Sequence, residues 1–297
     1  MHKVWLITGS SSGMGRAMTE LVLSQGDIAV ATLRKPSVLD DLVQQYPRDR
    51  LLVVKLDVTN KDEIKAAFAK AREVYGRIDV VFNNAGYGIL GETESVPEEV
   101  ARRMFDTNFW GALNVALEAV RFFRDVNKPQ GGRLITNSSI VAVTSAAAVS
   151  IYSASKHALE GVMESLAKEL NPAWNIKMTC ILPGGFHTRG TAPESLVQTE
   201  PLPAYDFENS NVARVRAWAP NASLPGDIAK AMKVIYHQLA TMEDPPVRAP
   251  LGKDALLGFQ NAAKAYSEDV ERCGSFSDDV LLDGADIANH VDPITSA

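Results

Sequence analysis

The sequence predicts an α/β protein: a single-domain, Rossmann-like, doubly wound parallel sheet of about seven strands with helices on both faces. Three features carry that reading. Short apolar runs alternate with longer amphipathic segments through the first two-thirds of the chain. The short runs are apolar almost throughout, as strands covered on both faces must be. A glycine-rich turn joins the first run to the first amphipathic segment, where a tight strand-to-helix reversal is needed.

"KVWLIT" is the first strand, followed by that turn and a helix over 13–25. "IAVATL" and "LLVVKL" are the second and third strands, with helical spacing over 37–46 between them. A helix over 61–75 leads to "IDVVFN", a long helical region over 97–123 to "RLITNS", and a helix over 151–170 to "IKMTCIL". Right-handed crossovers wind such an order into one parallel sheet. After Leu182 the rhythm changes. Residues 184–223 are rich in Pro, Gly, Ser, Thr and Asn, with a short helix expected near 212–218. A loop of that length in a compact domain reads as a lid or binding segment. A helix over 225–239 and a strand near "PVRAP" close the sheet, so one domain is expected over 1–275 with an acidic, aperiodic tail over 276–297.

An apolar fraction of 46% and a charged fraction of 22% exclude wholesale disorder. A net charge of −6 without any dense Lys/Arg run argues against nucleic acid or an anionic membrane as partner. No segment is long and apolar enough to span a bilayer, and "MHKVWLITGS" enters a strand with no signal-peptide pattern. Cys180 and Cys273 form no disulfide framework, so a reduced, cytoplasmic protein is expected. No His/Cys/Asp cluster has metal-ligand spacing, and a metal-free site is expected.

"TGSSSGMG" spaces Gly9, Gly13 and Gly15 as G-x-x-x-G-x-G. Gly9 permits the tight turn, Gly13 lets backbone N–H groups approach a pyrophosphate at the helix N-terminus, and Gly15 allows close helix–strand packing. The hydroxyls of Ser10, Ser11 and Ser12 are further phosphate donors. At the end of the second strand, where a carboxylate would grip an adenosine ribose, stand Leu33, Arg34 and Lys35. A guanidinium there suits a 2′-phosphate, so NADP(H) is expected over NAD(H). In "YSASK", Tyr152 and Lys156 share one helix face with only small residues between them.

With "LDV" (56–58), "NNAG" (83–86), Asn108 in "DTNFWG", "NSS" (137–139) and "PGGFHT", these motifs follow the order and spacing of a known family across residues 3–190. The chain resembles the short-chain dehydrogenase/reductase family. The resemblance implies a catalytic tetrad of Asn108, Ser139, Tyr152 and Lys156. It also implies a cofactor site from Gly9, Ser11, Ser12, Gly13, Met14 and Gly15, with Arg34. Asp57 and Val58 would flank the adenine, and Asn84, Ala85 and Gly86 would run beside the ribose. Tyr152, Lys156, Pro183, Gly184, Phe186 and Thr188 would meet the nicotinamide end. Ser139 fits the carbonyl-binding serine better than Ser138, and Asn108 would hold a water in a proton relay at Lys156.

A free tyrosine has a pKa of about 10, and an ammonium at ~4 Å is expected to bring it toward neutrality by roughly 3 units. The expected function is therefore an NADP(H)-dependent oxidoreductase acting on a ketone or secondary alcohol, in the ketone-reductase direction. An isomerase or epimerase on the same tetrad and a non-catalytic cofactor-sensing regulator are the alternatives. Phe186, Leu202, Pro203, Tyr205, Phe207 and Trp218, with Tyr87 and Leu90, suggest a moderate-sized apolar small-molecule substrate. His187 needs no catalytic role beside a full tetrad. A homodimer or homotetramer pairing through the helices at 97–123 and 151–170 is expected from the resemblance.

Overall fold

The structure is a computed structural model and describes residues 2–186, 196–219, 222, 224–277, 280 and 282. The first strand, β1 (Val4–Thr8), is wholly buried and sends alternate residues to opposite faces. Val4 and Leu6 join one core; Trp5 and Ile7 join the other. α1 (Gly13–Ser24), β2 (Ile28–Leu33), α2 (Asp40–Gln45), β3 (Leu51–Lys55), α3 (Lys61–Tyr75) and β4 (Val80–Asn83) follow. Asn60 caps α3 by accepting from the Asp62 and Glu63 amides, and Gly76 ends it in the left-handed conformation.

After the short β5 (Gly88–Leu90) come α4 (Glu98–Phe105) and α5 (Ala112–Asp125), joined by a π-helical turn over Asp106–Gly111. β6 (Gly132–Asn137), α6 (Val141–Thr144), α7 (Ser150–Glu169) and β7 (Ile176–Pro183) complete the part whose rhythm is plain in the sequence. Beyond it lie β8 (Leu196–Gln198), α8 (Asn211–Trp218), α9 (Ile228–Val234) with a π-helical extension to Leu239, β9 (Arg248–Leu251) and α10 (Lys253–Cys273).

The main sheet has the order β3-β2-β1-β4-β6-β7-β9 and is parallel throughout. The seven expected strands are all present. One core lies under α3, α5 and α7, the other under α1, α2 and α9. The strand order reverses between β1 and β4, which opens a crevice at their C-terminal ends.

Two elements were not expected. β5 and β8 form a separate two-stranded parallel sheet. α10 occupies residues to which the sequence pattern assigned no element, and Ala255 is its only buried residue. Most of the segment expected as a tail lies outside the described residues. Among the described residues no helix is long and apolar enough to cross a membrane.

Candidate active site

Four strand ends deliver the site. β1 runs into the glycine turn, β4 into Asn84–Gly86, β6 into Ser138–Ser139, and β7 into Pro183–Gly185. Gly9 (φ +70°) and Gly13 (φ +55°) adopt backbone conformations that side chains disfavour. A Cβ on Gly15 would sit 2.3 Å from the Gly9 carbonyl oxygen, so only glycine lets α1 start this close to the turn. Ser12 is the extended N-cap of α1 and its hydroxyl makes no capping bond; Ser11 is exposed. Ser10 corrects the expectation for the serine run: it is fully buried and donates to the Ile7 carbonyl. Met14 places its side chain in the core, leaving only its backbone for a ligand.

Asn84 ties β4 to the turn. Its Nδ2 donates to the Thr8 carbonyl at 2.9 Å, and its Oδ1 accepts from Asn137 at 2.9 Å. The side chain is thus fully engaged with protein, and Asn84 and Ala85 offer a ligand their backbone. Asn137, which the sequence flagged only as part of "NSS", also accepts at its carbonyl from Lys156 Nζ at 2.8 Å. A polar chain therefore runs Lys156–Asn137–Asn84–Thr8 from α7 to the glycine turn.

Arg34 follows β2, is exposed, and forms no ion pair among the described residues. Arg16, whose guanidinium donates to the Val38 carbonyl, is by contrast engaged by Glu20 and Asp41. Asp57 is half-buried with Oδ1 holding the amide and hydroxyl of Thr59, which leaves its second oxygen for a ligand. Val58 is buried in the core.

The tetrad comes together. Asn108 sits on the π-helical turn and is fully buried. Its amide donates to the Tyr87 carbonyl (2.9 Å) and Ser155 Oγ (3.3 Å), and its Oδ1 accepts from the Tyr87 amide (3.1 Å). It braces the chain after "NNAG" against α7. A Cβ on Gly86 would lie 3.0 Å from Asn108 Oδ1 and 3.7 Å from Lys156 Nζ. Tyr152 is half-buried, and among the described side chains it is Ser139 that acts on its phenol. Ser139, not Ser138, is therefore the tyrosine's partner. The Ser138 hydroxyl is buried without a partner among the described residues.

The electrostatics differ from expectation. Burial pushes the Tyr152 phenol up, and the bond from Ser139 opposes this without reversing it. Burial also lowers Lys156 to about 8. The Lys156 ammonium lies 5.8 Å from the Tyr152 ring centroid and donates to a backbone carbonyl, so desolvation outweighs its attraction. The lysine alone therefore does not lower the phenol, and burial sets its direction.

Pro183 is buried, and Gly184 lies against Asp254, whose carboxylate a Cβ would meet at 2.3 Å. Phe186 is a core residue bridged to Gly226, so its ring cannot line the pocket as expected. Leu90 is likewise core, while Phe207 and Trp218 face solvent at 61% and 58% exposure. Leu202 and Tyr205 are half-buried. Thr188 and His187 lie outside the described residues.

The glycine cradle, the free serine hydroxyl at the start of α1 and the open oxygen of Asp57 together fit a dinucleotide. The short chain dehydrogenase family profile matches residues 3–198. An uncharacterized oxidoreductase of Schizosaccharomyces pombe is 34% identical over 289 residues, 96% of this chain and 94% of that protein. The oxidoreductase calM of Penicillium decumbens is 33% identical over 280 residues, 92% of this chain and 91% of that protein. The crystal structure of a short-chain dehydrogenase from Streptomyces avermitilis is similar with a TM-score of 0.84 and 34% identity, over 93% of this chain and 97% of that one. With the profile running from the first strand to β8 and relatives matched over nearly their full length, the chain belongs to the short-chain dehydrogenase/reductase family of NAD(P)-binding oxidoreductases.

Proposed function

We propose that the protein is an NADP(H)-dependent oxidoreductase that reduces the carbonyl of a moderate-sized apolar ketone, with Tyr152 as general acid. The observation that carries this reading is the convergence of the four side chains: Ser139 beside the Tyr152 phenol, Lys156 Nζ 5.8 Å from its ring and bound to the Asn137 carbonyl, and Asn108 bonded to Ser155 of the same helix. A phenol kept protonated at neutral pH is a proton donor, which is what carbonyl reduction asks of it.

When bound, the dinucleotide supplies the hydride. Gly9, Ser11, Ser12, Gly13, Gly15 and the backbone of Met14 would hold its pyrophosphate. Arg34 would hold the 2′-phosphate, and Asp57, Val58, Asn84, Ala85 and Gly86 the adenosine half. Lys156, Pro183, Gly184 and Thr188, with the Phe186 backbone, would position the nicotinamide half. Ser139 donates a hydrogen bond to the carbonyl oxygen. Tyr152 passes its proton to that oxygen as negative charge develops there. Lys156 places a positive charge behind the phenol while it is protonated, and Asn108 keeps the Tyr87 backbone and α7 in register. Exposed Trp110 and Leu117, on the helical stretch expected to pair, support a homo-oligomer. The protein is placed in the cytoplasm on this reading.

Two variants test it. Tyr152→Phe should bind NADPH within about threefold of wild type yet lose roughly 10²–10⁴ in kcat on a ketone panel. Near-normal kcat would rule out the tyrosine, and cofactor binding without turnover in wild type would favour a regulator. Arg34→Ala should raise the KM for NADPH about 10–100-fold, the range of a charged hydrogen bond, and leave that for NADH nearly unchanged. Equal effects on both would refute the 2′-phosphate assignment.

A further inference from the structure

The segment after the glycine-rich end of β4 is fastened to the lid through a buried ion pair that the tetrad does not explain. Glu92 is 2% exposed, and Arg216 of α8 reaches it with two bonds, Nε to Oε1 at 2.8 Å and Nη2 to Oε2 at 2.5 Å. Arg216 also donates to the Thr199 carbonyl (2.9 Å) and hydroxyl (3.2 Å), and that hydroxyl meets Ser95 Oγ at 2.6 Å. Both chain segments approach closely only because glycines allow it. A Cβ on Gly91 would lie 2.0 Å from Thr199 Oγ1, and one on Gly88 would lie 3.0 Å from Leu196. β5 and β8 pair directly beside this cluster.

The same segment is tied to the catalytic helix. The Gly91 amide donates to the Ala148 carbonyl at 2.7 Å, and Thr93 Oγ1 donates to Ser150 Oγ at 2.8 Å. Ser150 opens α7, two residues before Tyr152. Ala148 is held at φ +61° and Ser145 at φ +50°, conformations that persist where surroundings over-determine the backbone.

A buried ion pair adds little net stability over an apolar pair of the same shape, and its best-attested use is to specify one arrangement. Here the arrangement specified is the position of residues 196–218 relative to Tyr152. We propose that Glu92–Arg216 is a specificity-determining clamp: it fixes this part of the lid as a wall beside the catalytic helix and so limits the size of the ketone admitted. The inference rests on the carbonyl-reducing function proposed above. Glu92 and Arg216 are positioning residues and touch no reacting atom.

The test compares full-length wild type, Glu92→Gln, Arg216→Gln and the charge-keeping Arg216→Lys on acetophenone and benzophenone. Selectivity is read as kcat/KM and as Kd from calorimetric titration, and wall mobility as amide hydrogen exchange over 196–218. In Glu92→Gln and Arg216→Gln, exchange over 196–218 should rise at least tenfold with β1 and α1 unchanged. The benzophenone-to-acetophenone ratio should rise at least tenfold, with NADPH affinity and kcat on acetophenone within about threefold of wild type. Arg216→Lys should retain most of the wild-type ratio. If Glu92→Gln does not fold, Thr199→Val removes only the hydroxyl of the cluster and should shift both readouts the same way by a smaller factor. Faster exchange with an unchanged ratio overturns the clamp's role in specificity, and unchanged exchange overturns the clamp. A wild type that binds both ketones and reduces neither sinks the proposed reaction but leaves the clamp to be judged by its Kd ratio; one that binds neither overturns both.

Discussion

Two chain crossings flank the active site, and they are held in opposite ways. At the first, the glycine turn meets the end of β4 by leaving side chains out: Gly15 lies against the Gly9 carbonyl, and one amide, Asn84, bridges the two strands. At the second, β5 and the segment that follows it meet the lid, with large charged groups bound in, Glu92 against Arg216. The first crossing presents backbone, which suits a ligand with phosphates and is indifferent to the rest of the molecule. The second presents a shaped wall, which suits discrimination between molecules that share one reacting group. In this chain the crossing at the glycine turn is thus built from bare backbone, and the crossing at β5 and β8 from side chains.

The largest effect that would sharpen this contrast is at Gly15. An added methyl meets a backbone carbonyl at 2.3 Å, and no flexible side-chain tip can yield. Gly15→Ala should lose cofactor binding by 100-fold or more and destabilise by about 1–3 kcal/mol or more, the range of overpacking. Gly161→Ala on α7 is the control, since nothing lies within 4 Å of its added methyl. It should gain about 0.5–1 kcal/mol as a helix-interior glycine replaced by alanine. Chemical denaturation and NADPH titration read both. A Gly15→Ala protein that binds normally would break the view that the first crossing depends on missing atoms.

A smaller effect is expected from acid at the second crossing. The Arg216 guanidinium holds Glu92 down to about 2. Because the folded pKa is depressed, the unfolded chain binds more protons in the interval below the ordinary glutamate value, near 4.5. The contribution of Glu92 is therefore present above about 4.5 and is lost as pH falls toward 2. Wild-type Tm should drop more steeply over that window than that of Glu92→Gln. Parallel curves would show that the pair contributes no pH-linked stability, and the second crossing would then depend on shape alone.

The two crossings also differ in how visible they are in the sequence. Gly9, Gly13, Gly15 and the Tyr152–Lys156 pair announce themselves because their chemistry is complete within a few residues on one element. Glu92 and Arg216 lie 124 residues apart, and neither carries local spacing that points to the other. Phe186 stands in the segment expected as a lid and so reads as a pocket aromatic; its burial is decided by Gly226, which no local pattern reveals. α10 has helical periodicity that the sequence reading missed; its burial is slight, with Ala255 and Phe259 toward the core while Leu256, Leu257, Tyr266 and Val270 stay exposed. The raised phenol escaped for another reason: a charge four residues away is legible, whereas the desolvation that outweighs it depends on the packed whole.

Asp254 decides where the boundary between the two kinds of crossing falls. It stands in the first turn of α10, and its Oδ2 accepts from the Gly185 amide at 2.6 Å, beside a Gly184 that has no room for a methyl. By position it belongs with the cofactor turns; by manner, a charged side chain reaching across 69 residues, it belongs with the clamp. The carboxylate is exposed, so water can replace it at the Gly185 amide, and the lost bond is worth about 0.5–1.5 kcal/mol. The rest of the turn stays tied, since Gly184 donates to the Leu251 carbonyl at 3.0 Å and Gly185 accepts from the Gly226 amide at 2.9 Å. Asp254→Ala should therefore lower Tm by only a few degrees, roughly the 2–4 °C per kcal/mol of a chain this size. NADPH affinity should weaken no more than several-fold, with Asp254→Asn between it and wild type because its amide oxygen still accepts. Loss of cofactor binding in Asp254→Ala, approaching that expected for Gly15→Ala, would mean that the start of α10 is a working part of the cradle. The division between a bare-backbone cofactor side and a side-chain-built substrate side would then fail at Gly185.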